Sequence, residues 1–282
     1  MSDTLKNLSA TADATSVENA LQFYQSGNFE KARSICHNLL DTDPNNSEAL
    51  LLLGKIDYQV KKTAKTPVAD PPLAYHLWYY DTKIWKTTSW AGIRTLKSPS
   101  DMWNYQEIIC SLKPSFIIEF GARFGGSALF FAALMKQISP RPKVFSVDID
   151  LDSVSDLTKQ EPIIELMAAS SASPEVAKRI TELREEYPGP VFAILDSDHS
   201  KSHVLKEMLL LRPLLKSGDY VVVEDSNING HPVRPGWGDG PFEAVQEYFE
   251  KYPNDYEIDR GREQKFGFTF ATNGFLKRVN NC

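Results

Sequence analysis

Cysteine is scarce in this chain of 282 residues: there are three, Cys36, Cys110 and Cys282, far apart and odd in number. No pair has zinc-site spacing and no set forms a disulfide framework, so a reduced, cytoplasmic protein is expected. No apolar stretch approaches the roughly 20 residues that cross a bilayer. The opening segment MSDTLKNLSATADATS has no apolar core of the signal-peptide kind, and no such peptide is expected. Positive charge is not in surplus. Lys and Arg number 31 against 37 Asp and Glu, a formal net charge of −6, which argues against a nucleic-acid or anionic-membrane surface. The length suffices for one sizeable core plus an appendage.

What is present divides along the chain. Residues 1–15 are polar and read as a disordered tail. Residues 16–61, within NALQFYQSGNFEKARSICHNLLDTDPNNSEALLLLGKIDYQ, show helical periodicity broken at Gly27-Asn28 and at Asp43-Pro44. Small residues at Ala20, Gly27 and Ala32 and aromatics at Tyr24 and Phe29 give a tetratricopeptide-like spacing that restarts at Leu53, Gly54 and Tyr58. One and a half repeats cannot bury a solenoid core alone, so packing against the rest, a homo-oligomer or a protein partner is expected. Residues 62–97 form a linker, VKKTAKTPVADPP, and an aromatic-rich stretch. From residue 98 to 282, helix and strand patterns alternate: DMWNYQEIICSL, SFIIEFG, GGSALFFAALMKQI, KVFSVDID, a mixed region running to PIIELMAASSA, PEVAKRITELREEY, VFAILDSD, HVLKEMLLLRPLL, DYVVVEDSN and GPFEAVQEYFEKY. YEIDR and FGFTFATNGFLKRV read as a closing antiparallel pair. This predicts an α/β fold with a doubly wound, mainly parallel sheet and ligands at the carboxyl ends of the strands.

Four strand ends carry chemistry. IIEFGARFGGSA places Gly121, Gly125 and Gly126 in a strand-to-helix turn that a ligand can approach closely. This is G-x-x-x-G-G, not the pyrophosphate fingerprint G-x-G-x-x-G. The next strand ends in Asp148, where an acid can accept both hydroxyls of a ribose. VFAILDSDHS drives an apolar strand into Asp196, Asp198 and His199. Helix capping explains one of those residues but not all of them. YVVVEDSN does the same with Glu224 and Asp225. Side by side, Asp196, Glu224 and Asp225 cannot all stay ionised without a cation, and an all-oxygen set suits Mg2+ before Ca2+.

Taken in order, GIRTLKSPSDMWNYQEII, IIEFGARFGGSALF, VDID, LDSDHSKSHVLKE, GDYVVVEDSN and GPFEAV resemble the cephalosporin hydroxylase/rhamnosyl O-methyltransferase family over about Trp90 to Val279. The resemblance implies a Rossmann-like methyltransferase sheet, similar to that of catechol-type methyltransferases, with S-adenosylmethionine on the glycine turn and Mg2+ at the acceptor oxygen. Glu119, Gly121, Arg123 and Ser127 would then line the methionine end of the cofactor, with Asp196 nearby, and Asp148 would hold the ribose. Ser170 and Ser171 would approach the adenine, although Ala169 stands where the family pattern expects a glycine. Asp196, Glu224 and Asp225 match the metal ligands. His199 stands where catechol-type enzymes place a lysine, and would take the acceptor proton. The tetratricopeptide-like segment lies outside the resemblance.

The implied reaction is Mg2+-dependent methyl transfer to a hydroxyl of a sugar or other small natural product, the acceptor being a small molecule or glycan. Nitrogen or phenolic acceptors are alternatives on the same site. The loop INGHPVRPGWGDGP offers Trp237 for stacking and His231 as a second candidate base. An iron hydroxylase is disfavoured because no histidine pair stands at ligand spacing. A nicotinamide dehydrogenase is disfavoured by the missing fingerprint. A scaffold with a vestigial catalytic domain remains the non-enzymatic rival.

Overall fold

The computed structural model describes residues 16–63 and 70–281. The tail at residues 1–15 and the middle of the linker, residues 64–69, lie outside the described residues. The chain divides into two compact units, one reaching to Thr87 and one beginning at Thr88. In the first, α1 (Val17–Gln25), α2 (Phe29–Thr42) and α3 (Ser47–Thr63) share a core of Ala20, Ala32, Cys36, Leu52, Leu53 and Ile56. Ser16 and Asn28 cap α1 and α2 by accepting from the Asn19 and Lys31 amides at 3.2 and 3.3 Å, satisfying donors that a helix start leaves open. α4 (Pro71–Asp81) follows, with Asp70 as its cap. Gly54 admits it closely, since a Cβ there would meet Trp78 Nε1 at 2.5 Å.

The second unit opens on a small ribbon of β1 (Ser89–Trp90) and β2 (Ile93–Arg94). Then come α5 (Pro99–Leu112), β3 (Phe116–Phe120), α6 (Gly126–Ile138), β4 (Val144–Asp148), the single turn α7 (Asp156–Lys159) and β5 (Ile164–Ala168). After them run α8 (Pro174–Glu186), β6 (Val191–Leu195), α9 (Lys201–Leu211), β7 (Tyr220–Val223), α10 (Pro241–Lys251), β8 (Tyr256–Ile258), α11 (Arg260–Gln264) and β9 (Phe275–Arg278). The sheet order is β5-β4-β3-β6-β7-β9-β8. Its first five strands are parallel, while β9 runs antiparallel to both β7 and β8. This is the doubly wound sheet with an antiparallel end that the alternation predicts. The region read as mixed contains β5, an edge strand whose residues are only partly buried, which is why its apolar pattern is weak. Of the closing pair, only Phe275–Arg278 of the second segment forms a strand.

Strand alternation divides the core between the two faces. Phe116, Ile118 and Phe120 of β3 pack with Val176, Ile180, Val204, Met208 and Tyr248 from α8, α9 and α10. Ile117 packs on the opposite side with Tyr105, Ile108, Phe131 and Met135 from α5 and α6. The strand order reverses between β3 and β6, the position at which such sheets open a crevice beyond the strand ends. None of the described helices is long and apolar enough to cross a membrane.

Candidate active site

The glycine turn and the two acid-bearing strand ends beside it are level because the ladder runs one residue past each strand. The Gly121 amide donates to Val147 O at 2.8 Å, the Asp196 amide to Phe120 O at 2.8 Å, and the Glu224 amide to Leu195 O at 3.0 Å. With Leu195 opposite Val223 in register, Asp196 and Glu224 leave the sheet side by side. The helix after β6 takes its turn from a different acid: Asp198 Oδ1 accepts the Ser200 amide at 2.7 Å. Asp196 and His199 are thereby free for other work.

His199 Nδ1 lies 2.8 Å from Asp225 Oδ2, and its Nε2 lies 3.9 Å from Asp196 Oδ1. Asp225 reaches the imidazole because it leaves β7 in a left-handed turn, φ 51°, a conformation Asp and Asn tolerate better than most residues. Ligand atoms of Asp196, His199 and Asp225 all fall within 4.8 Å of one another, and a set dominated by carboxylate oxygens suits a hard divalent cation. Burial alone would lower the His199 pKa, but Asp225 and Asp196 push it up to about 9. Burial works against ionised Asp225 as well, and the imidazole holds it below its ordinary value.

Glu224 turns toward a residue that the sequence reading did not place in the site. Lys97, 1% exposed, forms an ion pair with Asp196 and puts its Nζ 2.8 Å from Glu224 Oε1. Burial would favour its neutral amine, yet Asp196, Glu224 and Glu119 hold the ammonium well above its usual range. For the acids burial dominates: Asp196 is raised, and Glu224 is pushed up to about 8. Nearby, buried Asp101 accepts from Thr269 Oγ1 at 2.6 Å and from the Phe270 amide at 2.9 Å. It thereby ties the start of α5 to the segment before β9.

Each glycine of the turn meets protein. A Cβ on Gly121 would lie 2.0 Å from Asp196 O, one on Gly125 2.5 Å from Thr158 Oγ1, and one on Gly126 2.5 Å from Arg94 O. The Arg123 amide donates to Asp148 Oδ2 at 2.8 Å, which closes the loop onto the end of β4. Glu119 is fully buried and accepts from Ser146 Oγ, while its Oε1 has no hydrogen-bond partner among the described residues. Desolvation pushes its pKa up to about 7, against the opposing pull of the Lys97 ammonium and the Ser127 and Ser146 hydroxyls. An acid raised in this way holds its proton more tightly in the folded state. Its stabilising contribution is complete below the ordinary carboxyl range and is lost as pH climbs through about 7. Glu119→Gln should therefore stabilise the ligand-free protein by up to about 3 kcal/mol near pH 8 and flatten its Tm between roughly pH 5 and 8. Parallel Tm profiles for variant and wild type would refute this.

The remaining candidates are held less centrally. Ser171 is buried and donates to Glu207 Oε1, as does Ser197, and its Oγ lies 2.9 Å from His203 Nε2. His203 thus points into this cluster. Ser170 is exposed. His231 is stacked on Phe242 at 3.6 Å, with Nε2 2.9 Å from Glu243 Oε1. Glu243 also accepts from Asn229 Nδ2 at 2.9 Å and the Gly240 amide at 2.7 Å, so it anchors the 228–240 loop. Trp237 is 46% exposed, with the Arg234 guanidinium 4.3 Å from its ring centre. Lys97, Glu207 and Glu243 lie inside GIRTLKSPSDMWNYQEII, LDSDHSKSHVLKE and GPFEAV, stretches that carry the resemblance, but none of the three has a role read from the sequence. The usable signals were the His203/Glu207 spacing, one helical turn apart, and Glu243 three residues into a Gly-Pro helix start.

The fold and the acid-lined crevice define a Rossmann-like domain of the methyltransferase type. A family model described as Rhamnosyl O-methyltransferase/CmcI matches residues 82–279, and the chain belongs to that family. Rhamnosyl O-methyltransferase of Mycobacterium leprae is 58% identical over 204 residues, 72% of this chain and 89% of that protein. The protein of that name from Mycobacterium tuberculosis is 55% identical over 204 residues, 72% and 83% of the two chains. Among solved structures, apo CmcI aligns with TM-score 0.57 at 23% identity, covering 76% of this chain and 87% of that one. A CmcI structure described as Mg-SAM aligns with TM-score 0.54 at 22% identity, covering 76% and 87%. At such identities the two structures establish the shared fold.

Proposed function

We propose that this protein transfers the methyl group of S-adenosylmethionine to a hydroxyl of a deoxysugar, a rhamnosyl unit in the first instance, with Mg2+ as cofactor. The observation that carries the reading is the convergence of Asp196, His199 and Asp225 one strand from the glycine turn, in a chain 58% identical to a rhamnosyl O-methyltransferase. The residues suit both groups. The orphaned Glu119 Oε1 and the Gly121–Gly126 turn offer a polar cradle for the methionine end, and Asp148 stands at the next strand end for the ribose. Arg123, Ser127, Ser170 and Ser171 complete the proposed cofactor contacts. Asp196, Glu224 and Asp225 offer oxygens for Mg2+, whose charge when bound would make the acceptor hydroxyl more acidic.

The remaining work falls to this chain. His199, fixed by Asp225 through Nδ1, presents Nε2 toward Asp196 and takes the acceptor proton there in its neutral form, the minor form below about pH 9 in the ligand-free protein. The acceptor oxygen forms a bond to the methyl carbon as the carbon–sulfur bond breaks, and the sulfonium leaves as a neutral thioether. Catalysis is then chiefly alignment plus proton removal. Trp237, exposed on its loop, offers a ring face for sugar stacking.

The test is calorimetric titration of S-adenosylhomocysteine into wild type and Asp148→Ala, followed by incubation of S-adenosylmethionine, Mg2+ and a rhamnoside acceptor. Saturable binding weakened at least about tenfold in the variant, roughly one lost charge-assisted pair, and a methylated rhamnoside by mass spectrometry are expected. No binding to wild type would end the methyltransferase reading. Binding without rhamnoside methylation would redirect the search to phenolic and nitrogen acceptors.

A further inference from the structure

We infer that Lys97 is a built-in cation of the carboxylate cluster, holding Asp196 and Glu224 together in the absence of metal and opposing a divalent ion for the same two acids. The inference rests on the reading of these acids as a Mg2+ site.

Lys97 is as buried as any core residue and its ammonium spans two neighbouring strand ends, pairing with Asp196 Oδ2 and Glu224 Oε1. The backbone that delivers it is pinned on both sides. Upstream, the ribbon lies against Gly126, where no side chain would fit. Trp90 packs edge-on to Phe130 at 5.0 Å, and Thr88 Oγ1 donates to Lys97 O at 3.2 Å. Leu96 takes a left-handed φ of 54° to make the turn. Downstream, Asp101 fixes the first turn of α5 through Thr269 and Phe270. The ammonium is therefore presented by a rigid strap and not by a mobile surface side chain.

Two consequences follow from charge alone. Without Lys97, carboxylates at adjacent strand ends would face each other in a poorly solvated site, a costly arrangement unless another cation takes its place. With Lys97, an incoming divalent ion meets a positive charge already hydrogen-bonded to Asp196 and ion-paired with Glu224. Asp196 Oδ1, on the His199 side, remains for the ion. Lys97 thus orients the acids toward the site while limiting how tightly they hold a metal.

The test uses Lys97→Met, a neutral side chain of similar length, and the double variant Lys97→Met/Glu224→Gln, which removes both members of one pair. Tm in chelator and in Mg2+, calorimetric Mg2+ affinity and S-adenosylhomocysteine affinity are measured on all three proteins. In chelator, Lys97→Met should melt well below wild type, with most of the loss recovered by Mg2+. Its Mg2+ affinity should tighten by about tenfold or more, because a like charge a few ångströms from the ion is gone. The double variant should regain stability in chelator, since the uncompensated acid has been removed. A Tm loss identical with and without Mg2+, together with unchanged Mg2+ affinity, would mean that Lys97 is only a packing element and would overturn the inference. Mg2+ binding by Lys97→Met but not by wild type would support it and would remove Mg2+ from the proposed reaction. If no protein binds Mg2+, both the inference and the metal reading fail, while binding of S-adenosylhomocysteine reports separately on methyl transfer. Should Lys97→Met not fold in either medium, recovery of a folded double variant supports the inference, and its failure to fold overturns it.

Discussion

Replacing His199 with alanine is expected to lower kcat by about 10²- to 10⁴-fold, the usual range for a lost general base, with the affinity for S-adenosylhomocysteine unchanged. The separation follows from where the ring sits. Its contacts run to Asp225 and toward Asp196, not to the glycine turn or to Asp148. Single-turnover methyl transfer and calorimetric titration on the same preparation check the two halves. Near-normal turnover would remove His199 from the proton step and leave His231, already tied to Glu243, as the remaining imidazole candidate. A physical control follows from the pairing with Asp225. In the ligand-free protein the imidazole should titrate near 9, and Asp225→Asn should bring it down toward the ordinary imidazole range. The sign is fixed by the pair: a neighbouring carboxylate stabilises the imidazolium, so its loss favours the neutral ring.

How much of this is legible in the sequence depends on whether a residue announces its neighbours. Val191–Leu195 and Tyr220–Val223 are short apolar runs that end in acids, and a doubly wound sheet leaves few choices for which strands adjoin. The approach of Asp196 and Asp225 to one another could therefore be read from pattern and topology. The partner of Glu224 could not. Lys97 lies in GIRTLKSPSDMWNYQEII, which carries the resemblance, but nothing in that stretch assigns the lysine a partner, and it reaches Asp196 across 99 positions of sequence. A lysine is ordinarily exposed, so composition argues against finding one at the centre of a core. The same limit hid Glu207, which sits among leucines on a helix and is fully buried only because Ser171, Ser197 and His203 gather around it. Edge strand β5 was obscured for a different reason, since partial burial relaxes the demand for apolar residues that makes a central strand recognisable.

Gly121→Ala should destabilise the protein by at least about 3 kcal/mol, and a chain that does fold should bind S-adenosylhomocysteine poorly. Two costs combine at this position. The backbone holds φ at +100°, where an L side chain is strained. The added Cβ would also lie 2.0 Å from Asp196 O and 2.6 Å from Asp196 C, and these are main-chain atoms that cannot swing aside. Relief requires β3 and β6 to part at the point where Asp196 leaves the sheet, which moves the acid as well as the glycine turn. Gly218 supplies the comparison, because its φ of +94° is similar but no atom lies within 4 Å of its would-be Cβ. Gly218→Ala should therefore show the conformational cost alone, on the order of 1–2 kcal/mol, with cofactor affinity untouched. Denaturant unfolding of the two variants separates backbone strain from the close approach of the strands. Equal losses would mean that β6 yields to the new methyl, and the strand ends would then be less rigid than the site's chemistry requires.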